Sequence, residues 1–299
     1  MNPIIRNIAV KNVVTKSNLP VCDYAVNPYV GCTHACKYCY ACFMKKFTGH
    51  TEEWGTFLDV KIWNRIKNPQ RYAGKSFFVS SVTDPYNPQE EIYRRTRDFL
   101  ETFQGVDIHL SLQTKSDLIL RDLDLIRTFK HVRVGFSINT LDENFRRDMD
   151  AAVSIERRLA AMKTLHAAGI RTTCFISPIF PGITDVPAII DAAKDFCNLV
   201  WLENLNLRGN FKPKILAYVK EKYPTLLPLY EEIYRRKDMR YWARLNYAVA
   251  DYAAKNNLEY VRNRDYLQRD FDAPPVIVNF FFHEQIKKTP TNFGGEVLE

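Results

Sequence analysis

No apolar run in this 299-residue chain approaches the roughly 18 residues that a membrane-crossing helix requires, so a helical membrane protein is excluded. The opening stretch, MNPIIRNIAVKNVVTKSNLP, has neither a continuous apolar core nor a small-residue cleavage site, and a secretory leader is not expected. No repeat with a period of 20–50 residues and no low-complexity tract is present, which excludes a solenoid or a largely disordered chain. The cysteines number seven, so they cannot all pair within the chain. A cytoplasmic location is expected, where thiols stay reduced and clustered cysteines bind metal or do redox chemistry more often than they form disulfides.

What the chain does contain is ordinary for a soluble globular protein: 46% hydrophobic and 25% charged residues. The net charge is +8 and the pI about 9.0, compatible with an anionic partner such as nucleic acid. Arg94–Arg97, Arg235–Arg240 and Arg262–Asp265 carry much of this charge, and they read equally well as solvated faces.

Four of the seven cysteines, Cys32, Cys36, Cys39 and Cys42, fall within eleven residues of NPYVGCTHACKYCYACFMKKF. The first three form C-x3-C-x2-C. A loop of this kind can wrap three thiolates round one face of a 4Fe–4S cube and leave the fourth iron open. A zinc ribbon needs a second, distant C-x2-C pair, and none exists. A ferredoxin run needs x2, x2, x3 and a proline, which this spacing does not supply. Cys22, Cys174 and Cys197 stand alone and read as core residues.

Strands and helices alternate through the first two thirds of the chain. CDYAVNPYV, SFFVSSVTD, DIHLSLQTKS, VRVGFSINT, RTTCFISPIF and LVWLENLNL read as six strands. Between them, a helix opening at Asn87–Pro88 would carry Ile92, Thr96, Phe99 and Phe103. One capped by Ser116 would carry Ile119, Leu123 and Ile126, and one ending at Gly169 would carry Ile155, Leu159, Met162 and Leu165. This pattern predicts an α/β fold with a parallel sheet: a partial (β/α)6 TIM-like barrel over residues 1–208, although the rhythm alone also allows a doubly wound sheet. After residue 208, Tyr- and Lys/Arg-rich helices and a strand in PPVIVNFFFHEQI predict a mainly helical C-terminal extension, residues 209–299. The cysteine loop follows the first strand, at the strand end where barrels carry chemistry.

GCTHACKYCYA resembles the cluster loop of radical S-adenosylmethionine enzymes, with Tyr38 as the aromatic residue before the last cysteine. Together with SSVTDPYNPQEE, QTKSDLILRDLDL, SPIFPGITD and LENLNLRG, it looks like the branch related to spore photoproduct lyases. Within that branch the chain most resembles the group named radical SAM mobile pair protein B. The resemblance implies that Cys32, Cys36 and Cys39 hold a 4Fe–4S cluster while the amine and carboxylate of S-adenosylmethionine chelate the fourth iron. One-electron reduction in that family cleaves the sulfonium and releases a 5′-deoxyadenosyl radical that abstracts hydrogen from a substrate.

The resemblance also distributes roles. Many relatives bind the methionine amine with Gly-Gly-Glu after the second strand; SSVTD stands there instead, making Ser81 and Thr83 candidates. Lys115 matches a lysine that meets the cofactor carboxylate, Ser137 a polar residue that contacts the cofactor, and Arg158 is a second candidate for the carboxylate. Tyr38, in the cluster loop, belongs to the same cofactor set. Photoproduct lyases relay hydrogen through a tyrosine after the last cluster cysteine and a cysteine near the second strand end. Tyr40 keeps the first, but Ser81 stands in place of the second, and an O–H bond is far harder to break homolytically than an S–H bond.

His34 lies in the loop, where an imidazole either hydrogen-bonds a cluster sulfide or stabilises the loop. Glu203, Asn204, Asn206 and Arg208 close the sixth strand as contacts to adenosine or substrate, or as a structural network. His283 and Glu284 resemble a C-terminal family segment.

The expected partners are a nucleic-acid or nucleotide substrate, an external one-electron reductant and a second radical SAM protein, with no membrane. Peptide modification, a zinc-holding nucleic-acid-binding module and an electron carrier are the alternatives. The zinc module would need Cys42 as much as Cys39, and the electron carrier would not bind S-adenosylmethionine.

Overall fold

The computed structural model describes residues 3–19, 21–262 and 276–281. His283, Glu284 and residues 263–265 of the third basic stretch therefore lie outside the described residues. The chain divides into two compact units, Met1–Ser137 with Asp142–Thr173, and Ile138–Leu141 with Cys174–Glu299. The expected boundary after residue 208 falls inside the second unit.

In the first unit, β1 (Ile4–Val10), β2 (Val14–Lys16), β3 (Tyr24–Val26), β4 (Tyr29–Gly31), β5 (Phe57–Trp63) and β6 (Ser76–Val79) come first. There follow α1 (Glu90–Tyr93), α2 (Arg95–Phe103), β7 (His109–Thr114), α3 (Leu123–Ile126), β8 (His131–Ser137), α4 (Glu143–Met149) and α5 (Ile155–Ala167). Strands β3, β6, β7 and β8 pair in parallel in that order, and β2 lies antiparallel on β3. CDYAVNPYV, read as one strand, is two: β3 joins this sheet, whereas β4 pairs antiparallel with β5 in a smaller sheet completed by β1. Gly31 makes the exit from β4 possible. Its φ is +92°, and a Cβ there would come within 2.5 Å of the Phe57 carbonyl oxygen.

Alternation sets the inner face of the main sheet. Leu110, Leu112 and Thr114 of β7 are buried opposite Val132, Val134 and Phe136 of β8. α2 closes over β6 through Phe99 and Phe103, whose ring centres lie 6.1 and 5.2 Å from that of Phe77. Burying each such ring is worth about 2 kcal/mol or more. The helix expected from Asn87 onward is broken at Arg94, which has φ +51°, so α1 and α2 are separate. Thr96, Phe99 and Phe103 are buried as expected, but the break turns Ile92 out to 71% exposure. The capping expectations hold: the Ser116 hydroxyl accepts from Leu118 N at 3.2 Å, and Gly169, at φ +81°, ends α5.

β9 (Arg171–Ile179) belongs to the second unit from Cys174 onward, and that unit continues with α6 (Val186–Ala193), β10 (Leu199–Asn204), α7 (Lys212–Lys222), α8 (Leu227–Tyr234), α9 (Arg240–Lys255), β11 (Glu259–Arg262) and β12 (Ile277–Phe281). β9 neighbours β10, and β12 pairs in parallel with both β10 and β11. The region expected to be mainly helical thus also extends a sheet. α9 buries Trp242, Asn246, Val249 and Ala253, one face of a 3.6-residue period. Among the described residues no helix is long and apolar enough to cross a membrane.

Candidate functional site

Register places the site. Val79 of β6 pairs with Leu112 of β7, and Gln113 and Thr114 of β7 pair with Gly135 and Phe136 of β8. The carboxyl ends of these three strands therefore lie together, and Ser80–Asp84, Lys115 and Ser137 emerge side by side. The cysteine loop leaves β4 in the same unit. Successive backbone turns fold it, with Ala35 N donating to Cys32 O at 3.2 Å and Cys39 N to Cys36 O at 3.1 Å. Lys37 N on Met149 O and Ala151 N on His34 O fasten the loop to the end of α4.

Asp84, which the sequence reading did not single out, is the node of this site. Its buried carboxylate accepts from Thr114 Oγ1 at 2.7 Å, Lys115 N at 2.8 Å and Tyr86 N at 2.9 Å, and faces His34 Nε2 at 3.3 Å. Burial alone would raise its pKa, but His34 and these hydrogen bonds hold it below the ordinary carboxylate range. One side chain therefore joins the cysteine loop to the ends of β6 and β7.

A second node is Asp150. Arg158 Nη2 donates to its Oδ1 at 2.8 Å and Tyr38 OH to its Oδ2 at 3.2 Å; Lys115 Nζ lies 4.0 Å away and donates to Tyr38 OH at 3.0 Å. Burial pushes the Asp150 pKa up, and Lys115 and Arg158 more than reverse it. Arg158, wholly buried, also donates to Ser137 O at 3.1 Å and Val153 O at 2.9 Å. Its guanidinium is thus directed into the protein around Asp150, while Arg157 is exposed and paired with Asp117.

The other expected residues gather at the same edge. Tyr40 OH donates to the Ser81 carbonyl oxygen, so these two side by side residues are in direct contact. Asn27 Nδ2 donates to Ser81 Oγ at 2.9 Å while its Oδ1 accepts from Val82 N, which fixes the SSVTD turn. Thr83 Oγ1 is turned back to Gly31 O at 2.6 Å. Ser137 Oγ accepts from Gln113 Nε2 at 3.2 Å, a contact that requires Gly135, where a Cβ would lie 2.1 Å from Gln113 Oε1.

All three thiols have pKa values raised above the ordinary range. Burial is the largest cause for each; Asp84, then Cys36 and Cys39, push Cys32 up further, Cys42 adds to the rise at Cys39, and Lys115 partly offsets the rise at Cys36. Trp54 Nε1 is buried without a hydrogen-bond partner in the structure, yet it lies beside Cys39 and favours its thiolate, after the Ala41 backbone N–H. Among the described residues no group of three or more His, Cys, Asp and Glu converges as a single metal ion demands. A 4Fe–4S cube does not demand this, because each thiolate takes a different iron.

In the second unit, Ser177 Oγ of β9 donates to Glu203 of β10 at 3.0 Å. Burial raises the Glu203 pKa to about 7, only partly opposed by that hydrogen bond. Both side-chain amide atoms of Asn206 are buried without a hydrogen-bond partner, and Arg208 is exposed. Cys174 and Cys197 are buried.

A family model for the radical SAM superfamily matches residues 26–193. An uncharacterised protein of Methanocaldococcus jannaschii is 39% identical over 223 residues, which cover 74% of this chain and 84% of the relative. A second, from Mycobacterium tuberculosis, is 27% identical over 247 residues, covering 76% and 72%. A solved spore photoproduct lyase variant with bound AdoMet and dinucleoside spore photoproduct superposes with a TM-score of 0.52 at 18% identity, over 74% of this chain and 66% of that one. Streptococcus suis SuiB bound to S-adenosylmethionine gives 0.54 at 13%, over 94% and 51%. These structural likenesses concern the fold, and the mixed α/β class with parallel strands is the one expected.

Members of this superfamily use a 4Fe–4S cluster and S-adenosylmethionine. The residues present fit that pair. Three thiols whose ionisation burial opposes, Cys32 buried and Cys36 and Cys39 half-buried, suit a cationic iron cluster, and the buried Trp54 N–H suits a sulfur acceptor.

Proposed function

Because the chain belongs to the radical SAM superfamily, we propose that it cleaves S-adenosylmethionine reductively and abstracts hydrogen from a nucleic-acid or nucleotide substrate. The observation that carries this reading is the C-x3-C-x2-C loop joined through buried Tyr38 to Lys115 and Asp150. Cys32, Cys36 and Cys39 would hold the cluster, which supplies the reducing electron to the bound sulfonium. Lys115, with its ammonium in a partly dry site beside Cys36, receives the cofactor carboxylate. Ser81, Thr83 and Ser137 border the cofactor, and Tyr38 orients Lys115. Asp150 holds the ammonium in place, and Arg158 acts through Asp150 as a positioning residue.

Lys115→Met is expected to weaken S-adenosylmethionine binding by about 10- to 100-fold, the range for loss of a charge-assisted hydrogen bond, with unchanged iron content. Equilibrium dialysis against labelled cofactor measures it.

The substrate class rests on the net charge of +8, the photoproduct-lyase likeness of the SSVTD and QTKS segments, and the lyase structure's bound dinucleoside spore photoproduct. Ser81 excludes nothing by its position, but its hydroxyl is a poor hydrogen donor, so lesion reversal by a tyrosine–cysteine relay is not the reaction proposed. Tyr40, in contact with Ser81, is the residue nearest to such a role. Deuterium from a perdeuterated-thymidine oligonucleotide is expected in 5′-deoxyadenosine. Label arriving instead from a peptide library would move the assignment to peptide modification. A cytoplasmic location, kinship with the mobile pair group and action with a second radical SAM protein belong to the same proposal.

A further inference from the structure

Directly after the cluster loop, residues Tyr40–Phe47 form a short 3₁₀ stretch that follows Cys39 and contains no acidic residue. Its surface is unusual. Phe47 is 75% exposed, the most exposed large apolar side chain among the described residues, and Phe43 is 44% exposed. The two rings meet edge to face, with centroids 6.4 Å apart, as one apolar knob. Lys46 is exposed beside them, Lys45 reaches Thr51 O at 2.8 Å, and Lys37 is exposed in the loop itself. Downstream, the Glu52 carboxylate is held by His50 at 2.9 Å, with Arg6 at 3.7 Å.

We propose that the Phe43–Phe47 knob and its lysines form the docking surface for the external reductant, a small acidic one-electron carrier protein of the flavin or iron–sulfur type. An apolar aromatic centre with a charged rim is the anatomy of a protein–protein contact, and a small patch suits a transient electron-transfer encounter. The lysines attract an acidic partner and speed its approach. Position supports the same partner. At about 2 Å of rise per residue in a 3₁₀ stretch, Phe43 lies about 8 Å and Phe47 about 16 Å along the chain from Cys39. In each encounter the carrier loses one electron and this chain gains one. A nucleic acid is the less fitting occupant. The two rings pack on one another rather than presenting separate faces for bases, and a substrate must reach the strand ends where Ser81, Lys115 and Ser137 lie.

This inference rests on the enzymatic reading, and its test separates the two. Wild-type protein and the Lys46→Glu/Phe47→Ser variant, both cluster-loaded, are titrated with a bacterial flavodoxin and with a bacterial ferredoxin, following complex formation by calorimetry at low and moderate salt. Cluster bleaching is then timed with each reduced carrier and with dithionite. The expected result is salt-sensitive binding of at least one carrier to the wild type. The variant should bind it at least tenfold more weakly and bleach correspondingly more slowly with it, at an unchanged rate with dithionite. Equal binding by both proteins, no binding of either carrier to the wild type, or a variant that loses oligonucleotide binding instead would overturn the proposal. Failure of dithionite to drive S-adenosylmethionine cleavage in the wild type would overturn the enzymatic reading while leaving the binding result to stand.

Discussion

Cys36→Ala protein purified without oxygen is expected to lack its 4Fe–4S cluster, whereas Cys42→Ala protein keeps it. Each ligating thiolate holds a separate iron, so removal of one of three strips a corner from the cube. Cys36 sits where Lys115 offsets part of the burial that otherwise opposes its ionisation. Cys42 lies in the 3₁₀ stretch beyond the loop, and a fourth protein ligand would block the iron that S-adenosylmethionine needs. Iron and sulfide analysis with the visible spectrum distinguishes the outcomes: about four irons per chain in wild type and Cys42→Ala, close to none in Cys36→Ala. Equal loss in both variants would instead favour a four-thiolate metal module.

Arg158→Met should destabilise the protein by about 3–5 kcal/mol, the usual consequence of stripping a buried carboxylate of its partner. Both groups are buried, with side chains 0% and 1% exposed, and Arg158 also satisfies the carbonyl oxygens of Ser137 and Val153. Asp150→Asn added to Arg158→Met is expected to recover part of the loss, because no buried charge is then left unpaired. The pH dependence has a definite sign. Asp150 has a pKa depressed in the folded state, so its pairing stabilises the protein above the unfolded value and is lost as pH falls through the folded one. The gap between wild type and Arg158→Met should therefore narrow below about pH 4. Urea titrations at neutral and acidic pH measure it.

The superfamily was legible because the x3 and x2 cysteine steps after a strand resemble its cluster loop; spacing by itself left Cys42 beside the three proposed thiolates. The strand ends were legible too, since SSVTD, QTKS and VGFS break period-two runs in ways that parallel strands share. Less could be read wherever a long-range contact decides. Arg158 follows Glu156 and Arg157 in a run that looks like a solvated helix face, and only the fold brings it to Asp150. Nothing around Asp150 marks it in the sequence. Asp84 had a signal, an acidic residue closing the SFFVSSVTD segment before Pro85, but its four partners come from three segments. β1 escaped notice because IIRNIAV is half exposed and lacks clean alternation. The break at Arg94 requires a left-handed conformation that no glycine announces.

The most direct measurement is 5′-deoxyadenosine formation by anaerobic, cluster-loaded wild-type protein supplied with dithionite and S-adenosylmethionine. Formation that requires the reductant and disappears in Cys36→Ala is the expected result. A protein carrying its full iron that neither binds nor cleaves S-adenosylmethionine would contradict it and assign the cluster to electron carriage alone.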